Sequence, residues 1–359
     1  DLLNYSERRM RSGLKKIADG VYTAIDYIDD DGVNDEPIKV SVKIEIKGDK
    51  VTVDLTDSDP QAEGNTNSTL ANTHAAVYYV LIAVVDPHMP PNSGCYRPIE
   101  VQTKPGSIVD PVLPGAVAAR TNCSQKIVEA MYQAFAAITP DRVTAGSHGQ
   151  ITTCGFGGAD PINGERFIYT EIQVGGNGAR PFKDGADGQD GHLPRFMNTP
   201  VEAVESRFPV RVERYEFIPD SGGAGTYRGS LAMVRDIRLL ADNVSFARYA
   251  DRHTHAPFGL FGGKEGSKGA FLLNPGTDDE MRLKSKGLDL LNMGDLISLR
   301  MPGAGGYGDP LERDLNLIDT DLKNQKISPN CAEDDYQVLL DGSGQAVDHE
   351  QTMKHRKER

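Results

Sequence analysis

A glycine-rich stretch past the middle of the chain carries side chains that could bind an anion. Residues 220–229 read DSGGAGTYRG, with four glycines in ten positions. This density argues against a helix or a strand interior, because glycine belongs where φ is positive or where another backbone comes close. Asp220 and Ser221 can cap backbone N–H groups, and Arg228 can hold a carboxylate or phosphate through two parallel hydrogen bonds.

Two interpretations of this stretch stay open. It is either an anion-binding loop or a plain glycine-rich turn between two strands, which the runs 210–218 and 232–240 predict on either side. A phosphate loop of the usual kind is disfavoured. Such a loop leads directly into a helix, and the residues after Gly229 have no helical pattern.

A second stretch, residues 175–185, follows a predicted strand at 167–174 and combines charge with glycine in the same way. Its candidate residues are Gly175, Gly176, Arg180, Lys183 and Asp184. Charged side chains are clustered here on a backbone that can approach a ligand closely. Among the loops of this chain, this one is therefore our first candidate for contact with a substrate.

Further candidates lie in polar loops or at predicted helix ends: Asn65, Arg120, Asn122, Glu205 and Arg252. The loop containing Asn65 feeds a predicted helix, which indicates either an anion site or an ordinary helix cap. Arg120 either binds an anion or braces a loop through backbone carbonyls. Histidines at 253 and 255 would share one face only in a strand. A structural or surface role is favoured for them, and we assign no metal ligands in this chain.

Composition excludes several classes of function. The net charge of −13 argues against nucleic-acid binding, which needs a basic surface. No apolar run is long enough to span a bilayer, and no signal peptide is visible. The four cysteines are widely spaced without a CxxC pair, so we expect free, buried thiols in the cytoplasm, two of them (Cys95 and Cys123) in loops.

The elements that must position these residues are short. Apolar periodicity predicts helices and strands interrupted by turns, hence an α+β fold, glycine-rich, with several short mixed or antiparallel sheets and a few packed helices. The main predicted helices are 2–17, 69–85 and 125–137, and the predicted strands include 21–28, 39–46, 51–55, 100–103, 116–120, 142–156, 243–249 and 296–299.

Four segments are expected. Residues 1–67 form a helix plus a small antiparallel sheet, and residues 68–160 a helix-containing α+β core. Residues 161–310 form a β domain rich in glycine loops, and residues 311–359 a C-terminal tail or cap. The best boundary is near Asp160-Pro161, because turn residues cluster there.

Two later glycine stretches, PFGLFGG at 257–263 and PGAGGYGDP at 302–310, complete a set of four. Together the four stretches resemble the hydantoinase B/oxoprolinase family, from about Tyr5 to the C-terminus. Its members include N-methylhydantoinase B, the matching half of 5-oxoprolinase, and related subunits of acetone and acetophenone carboxylases. Family members carry a substantial region before this point, so the resemblance implies the C-terminal portion of a longer, cleaved or split protein.

The resemblance implies an ATP-dependent cyclic-amide hydrolase, which phosphorylates a lactam or hydantoin carbonyl so that water can open the ring. Two alternatives stay open: a subunit of an acetone- or acetophenone-type carboxylase, and a non-catalytic scaffold of such a complex. Substrate, metal and stoichiometry are not determined by these residues.

Cofactors and partners are likewise implied by the resemblance. ATP with Mg²⁺ belongs to a hydantoinase A-type partner with an actin-like fold. A divalent metal, Zn or Mn, is expected on ligands in the N-terminal part of the B-type protein, which this sequence does not contain. A small-molecule substrate is expected, and neither nucleic acid nor a membrane.

Within this frame we predict that Arg180, Lys183 and Arg228 stabilise anionic intermediates, since cationic groups placed where negative charge develops lower the barrier. Asp184, Asp220 and Glu205 are predicted to orient them. The remaining candidates, Asn65, Arg120, Asn122, Gly175, Gly176, Ser221 and Arg252, are predicted to shape the loops of the pocket.

Overall fold

The computed structural model describes residues 1–357 and divides the chain into two compact units, Asp1–Val143 and Thr144–Arg359. The predicted α+β class is confirmed, with several small sheets and packed helices. Asp160 and Pro161, where the sequence favours a boundary, form the turn between two paired strands of the second unit. The finer division into four segments stays a prediction.

The first unit contains one four-stranded sheet. Its strands are β1 (Gly20–Ile28), β2 (Ile38–Lys47), β3 (Lys50–Asp54) and β4 (Ile99–Gln102), in that spatial order. Neighbouring pairs are antiparallel except β3 and β4, which are parallel. Strand β2 alternates as a half-buried strand should, with Val40, Val42, Ile44 and Ile46 all buried.

Helices cover the buried face of this sheet. They are α1 (Leu2–Leu14), α2 (Leu70–Val85), α3 (Ser93–Tyr96) and α4 (Arg120–Ala136), followed by a short 3₁₀ turn, Pro140–Arg142. Helix α4 packs against β1, β2 and α2. It is buried from Asn122 to Tyr132 without interruption, polar positions included.

The second unit is built on two antiparallel sheets. The strands after α4 are β5 (Thr152–Ala159), β6 (Arg166–Gln173), β7 (Gly175–Gly176), β8 (Asp187–Gln189), β9 (Val210–Ile218), β10 (Ala232–Leu239), β11 (Val244–Tyr249), β12 (Ala270–Leu273), β13 (Met281–Leu283), β14 (Lys286–Leu291) and β15 (Leu296–Arg300). One sheet has the order β13-β12-β15-β10-β9 and the other β14-β11-β5-β6, while β7 and β8 form a small ladder of their own. Phe156 and Phe246 of the four-stranded sheet share a core with Ile237, Phe271 and Leu299 of the five-stranded one.

The chain after residue 310 is a helical cap on this unit. A short helix precedes β9, and the other helices follow β15: α5 (Val201–Glu205), then a 3₁₀ turn (Pro310–Glu312), α6 (Leu315–Lys323), α7 (Pro329–Tyr336) and α8 (His349–Lys357). Ile318, Ala332 and Tyr336 of the cap form a second core that includes Ala224 of the 220–229 stretch. Among residues 1–357, every helix is too short or too polar to cross a lipid bilayer.

Several local predictions were wrong. Residues 116–119 form a loop and a turn rather than a strand, and α4 begins at Arg120, which places Cys123 inside a buried helix. Cys95 likewise lies in α3 rather than in a loop. Both errors arise because burial in the core overrides the local preference of polar and glycine-containing segments for loops.

The predicted strand 142–156 and the alternating histidine arrangement also differ from the structure. Only the end of that run is a strand, β5, because Gly149 interrupts it with a φ of +56°. Arg252 has a φ of +64° and lies in a loop, so the two histidines that follow are not on one strand face. Strand β14, with its glycine in second position, was not anticipated.

Candidate functional site

The four glycine stretches of the second unit meet in one place, which we call the glycine junction: residues 175–185, 220–229, 257–263 and 302–310. Backbone hydrogen bonds join them, including Ala179 N to Gly305 O at 3.0 Å and Gly223 N to Ala304 O at 2.8 Å. Leu260 N donates to Gly306 O at 3.0 Å. Stretches that are distant in sequence therefore form one hydrogen-bonded backbone assembly.

Close backbone approach explains why glycine is needed in the junction. A Cβ added to Gly229 would lie 1.9 Å from the Ala304 carbonyl oxygen, and one on Gly305 would lie 1.8 Å from the Phe258 oxygen. Neither distance is sterically possible, and neither obstacle is a flexible side chain. These glycines thus allow main chains to touch, which is one of the two roles predicted from composition.

Several N–H groups of the 220–229 stretch are already used within the protein. The backbone N–H groups of Gly223, Thr226 and Tyr227 donate to carbonyl oxygens of Ala304, Gly308 and Tyr307. The N–H of Arg228 donates to Asp184 Oδ1 at 2.8 Å. These four donors are therefore not available to a nucleotide phosphate, which a phosphate loop binds through consecutive N–H groups.

Beside the junction lies a buried ion-pair network made of three acidic and three basic side chains: Asp184, Asp187, Asp321, Arg228, Arg313 and Lys326. Arg313 grips Asp184 in the bidentate manner, with Nη1 and Nη2 at 2.7 and 2.8 Å from its two oxygens. The same Nη2 lies 2.7 Å from Asp321 Oδ2. The only bidentate arginine–carboxylate pair of this network is therefore made by Arg313, which the sequence did not single out.

Arg228 is a central member of the same network and is 1% exposed. Its Nε lies 3.2 Å from Asp321 Oδ2, and its Nη1 lies 2.6 Å from the Gly229 carbonyl oxygen and 3.5 Å from Asp187 Oδ1. Lys326 Nζ completes the set at 2.7 Å from Asp187 Oδ2. The Arg228 guanidinium is thus enclosed by protein groups.

Charge pairing fixes the ionisation of this network. Burial acts to raise the pKa of Asp184, but Arg313 and Arg228 outweigh it and hold that pKa below its usual value. Burial of Asp187 is likewise outweighed by Arg228 and Lys326, so its pKa is also lowered. For Arg228, burial lowers the pKa and the facing carboxylates more than restore it. Asp184, Asp187 and Arg228 are therefore charged at neutral pH.

The predicted cationic pair of the 175–185 stretch is more open. Arg180 and Lys183 close a tight turn in which each backbone N–H bonds to the other's carbonyl oxygen. Lys183 is exposed, and Arg180 is partly exposed with Nη2 donating to the Asp184 carbonyl oxygen at 3.2 Å. Of the predicted cations, these two are the ones that a ligand can reach on this unit.

The remaining candidates of the second unit have mainly backbone partners. Asp220, with a φ of +61°, accepts the Ser328 N–H at 2.6 Å, and Ser221 Oγ accepts the Ala232 N–H at 2.7 Å, which confirms the predicted capping. Glu205 accepts the Val212 N–H at 2.8 Å. The Arg252 guanidinium packs against Gly149. Asp220 and Glu205 thus bond to backbone rather than orienting the predicted arginines.

In the first unit, three candidates gather where the 54–67 loop meets α4. The Asn65 carbonyl oxygen accepts the Ala119 N–H at 2.9 Å, immediately before Arg120 at the start of the helix. Arg120 is exposed and Asn122 is 1% exposed. Their roles, like the catalytic roles predicted for the second unit, stay predictions.

A buried histidine–aspartate pair lies next to the β7–β8 ladder. His148 Nδ1 is 3.2 Å from the Gly176 carbonyl oxygen, and its Nε2 is 3.6 Å from Asp190 Oδ1. A Cβ on Gly175 would lie 2.4 Å from the His148 ring, and one on Gly176 would lie 1.8 Å from Ser230 Oγ. Burial raises the pKa of Asp190 to about 6, against partial compensation from the Gly191 and Phe196 N–H groups.

Sequence reasoning misses this pair, because a lone histidine in a predicted strand is usually structural and Asp190 belongs to no motif. The available signal is the pair of glycines at 175 and 176, which indicates that something approaches that backbone. A neighbouring buried pair, Asp251 and Lys286, has Oδ1 and Nζ 3.7 Å apart. Gln150 Oε1 accepts the Asp251 N–H.

Within residues 1–357, no group of three or more His, Cys, Asp or Glu side chains is placed to hold a metal ion. A metal on ligands outside this sequence stays a prediction.

Comparisons with known proteins identify relatives over the whole chain. The profile of the family described as Hydantoinase B/oxoprolinase matches residues 1–310. The putative B-type component of a D-/L-hydantoinase from Pseudomonas sp. strain NS671 is 34% identical over 373 residues, which covers 99% of this chain and 62% of the relative. This chain spans about three fifths of the length of such relatives.

Two solved structures share the fold. The crystal structure of the ATP-dependent caprolactamase from Pseudomonas jessenii superposes with a TM-score of 0.85 at 27% identity, covering 99% of this chain and 63% of that one. The nucleotide-free structure of an acetone carboxylase gives a TM-score of 0.85 at 17% identity, covering 98% and 54%. At that identity the second likeness shows the fold alone.

Proposed function

Because this chain belongs to the hydantoinase B/oxoprolinase family, we propose that it is part of an ATP-dependent enzyme that opens cyclic amides together with a partner subunit. The observation that carries the proposal is the likeness to the caprolactamase, which extends over 99% of this chain at a TM-score of 0.85. Two relatives are named as single subunits, one of a hydantoinase and one of a caprolactamase, which supports a multi-subunit assembly.

The chemical problem is the stability of the lactam carbonyl. Amide resonance makes its carbon a poor electrophile, and ATP supplies a phosphoryl group that turns the carbonyl oxygen into a leaving group. No step through a nucleotide is assigned to this chain, because the N–H groups of Gly223, Thr226, Tyr227 and Arg228 already donate to internal acceptors. We propose that the nucleotide is bound by a hydantoinase A-type partner with an actin-like fold. The metal and a cytoplasmic location stay predictions.

The described residues support a division of roles within the second unit. Arg180 and Lys183 are accessible cations at one turn, and we propose that they contact anionic groups of the substrate or intermediate. Arg228 and Asp184 belong to the ion-pair network and hold the 175–185 stretch in place. In this proposal the network contributes position and not chemistry.

The test is an ATP-hydrolysis screen on the complex co-purified with its partner from the native source. Stimulation of ATP hydrolysis by a lactam or hydantoin, with stoichiometric appearance of the ring-opened acid, is the expected result. Stimulation only by a ketone with bicarbonate would overturn the proposal in favour of a carboxylase, the alternative raised by the fold shared with acetone carboxylase. A complex whose turnover is unchanged by Lys183→Ala and Arg180→Ala would contradict the role given to those two residues.

A further inference from the structure

The His148 ring has a defined orientation. Its Nδ1 lies 3.2 Å from the Gly176 carbonyl oxygen, and the His148 backbone N–H donates to the same oxygen at 3.0 Å. A carbonyl oxygen only accepts, so Nδ1 carries a proton, and Nε2 faces Asp190 at 3.6 Å. The bare backbone at Gly175 makes room for the ring.

The two carboxyl oxygens of Asp190 differ in their hydrogen bonding. Its Oδ1 accepts the Gly191 N–H at 3.0 Å and lies 3.6 Å from His148 Nε2. Its Oδ2 is buried and makes no hydrogen bond within the described residues, and the side chain is 3% exposed. A buried carboxyl oxygen without a partner is costly in a purely structural role, and such groups concentrate at functional sites.

The segment that follows Asp190 has no regular secondary structure. Residues 190–199 contain neither helix nor strand. The Phe196 N–H bonds to the Asp190 carboxyl group, and at the far end Asn198 Nδ2 donates to Ile172 O, Asn198 Oδ1 accepts the Tyr215 hydroxyl and Thr199 N donates to Glu171 Oε1. Displacement of residues 191–197 would open a path to Asp190 Oδ2.

We propose that Asp190 is an acid–base residue for the ring-opening step and that His148 is the residue that positions it. This inference rests on the proposed function, since the substrate class is taken from there. The predicted catalytic residues do not supply a group that both accepts and donates a proton near neutral pH, because arginine and lysine side chains ordinarily stay charged there and Arg313 and Arg228 hold the pKa of Asp184 below its usual value. The raised pKa of Asp190, about 6, suits that task.

The step balances with water as the only further reactant. A water oxygen bonds to the phosphorylated carbonyl carbon while the Asp190 carboxylate takes one proton from that water. The C–N bond then breaks with its electron pair passing to nitrogen, Asp190 returns the proton to that nitrogen, and the other proton of the water passes to solvent as the new C=O bond forms. The nitrogen leaves as the amine, and the carbonyl carbon is left as an acyl phosphate, which a second water cleaves to the carboxylate and inorganic phosphate.

The experiment uses the complex with its partner subunit and a lactam that stimulates its ATP hydrolysis. We compare wild type, Asp190→Asn, His148→Gln and the control Asp160→Asn, which alters a carboxylate in the exposed turn between β5 and β6. Asp190→Asn should lower kcat for ring opening about 100-fold with little change in KM, and abolish the limb of the pH–rate profile near pH 6. His148→Gln should lower kcat by about tenfold and shift that limb, while Asp160→Asn behaves as wild type.

A stability measurement on this chain separates chemistry from structure. A buried acid with a raised pKa must be ionised at pH 8, and burial of the charged form destabilises the folded state. Asparagine carries no charge, so Asp190→Asn should keep or raise Tm relative to wild type at pH 8. A lower Tm with loss of partner binding would make Asp190 structural and overturn the proposal, as would wild-type turnover with the pH limb intact. A wild-type complex that opens no cyclic amide overturns the proposed function itself, before any variant is compared.

Discussion

The β7–β8 ladder carries two carboxylates of opposite character. Asp187, paired in the ladder with Gly176, lies between Arg228 and Lys326, and its pKa is lowered by them. Asp190, just past the end of β8, faces His148 Nε2, and burial raises its pKa to about 6. The two lie three residues apart in the sequence. Asp187 is paired with cations and stabilises the fold. Asp190 is buried with little compensation, and its raised pKa suits the proton transfer that we propose.

The largest effect should follow removal of the arginine that the sequence did not single out. Arg313→Ala leaves the buried Asp321 and the partly exposed Asp184 without their closest cation, and breaking a buried pair from one side costs up to about 3–5 kcal/mol in the free energy of unfolding. Urea denaturation measures it. The control Arg211→Ala, in an exposed pair with Glu213, should cost at most about 1 kcal/mol. Equal losses of stability for both variants would contradict the structural role given to the ion-pair network.

Gly175→Ala should act on the second site rather than the first. The new methyl group would meet the His148 ring, which must shift, and such overpacking costs about 1–3 kcal/mol. Turnover per folded complex should fall along with stability, because the ring no longer faces Asp190 correctly. Gly342→Ala is the matched control, since nothing lies within 4 Å of the added carbon there. Full turnover in Gly175→Ala would mean that the ring position is irrelevant to activity.

Arg228→Lys tests whether a predicted catalytic arginine is architectural. Lysine keeps the charge but carries its donors on one nitrogen, which cannot reproduce the separate bonds of Nε to Asp321 and of Nη1 to the Gly229 carbonyl oxygen, so the free energy of unfolding should fall by about 1–3 kcal/mol. Turnover per folded enzyme should be unchanged if the network only positions the loop. A fall in kcat without a loss of stability would instead support the catalytic role predicted from the sequence.

The smallest effect should be seen in the pH dependence of stability. Asp184 and Asp187 have lowered folded pKa values, so their contribution is complete above the unfolded pKa near 3.8 and is lost as pH falls below it. Asp190 has the opposite sign, and its contribution is lost as pH rises from about 4 to 6. Urea unfolding at intervals between pH 3 and 7 should therefore give a shallow maximum for wild type. Asp190→Asn should remove only the decline above pH 4.

The fold class, most of the helices and strands and the importance of the glycine stretches could be predicted from the sequence, because periodicity and glycine density are local signals. What each glycine approaches is not local. The glycine at 175 indicates that some group lies close to the backbone, but the sequence does not show that this group is His148. Asp190 belongs to no recognisable motif. Arg313 lies after the last glycine stretch, where nothing in the pattern of residues indicates a partner for Asp184. Pairings across the chain become visible only once the junction is folded.

The helical cap also limits how this protein can be recombined. The family profile ends at residue 310, yet Arg313, Asp321 and Lys326 beyond it neutralise charges on stretches that the profile covers. In a chimera that joins these glycine stretches to the cap of a relative, that cap must carry the same three charges at the positions of Arg313, Asp321 and Lys326. Otherwise the cap and the glycine stretches must be exchanged together. The natural crossover point for engineering this family member is therefore not the edge of the recognised family region.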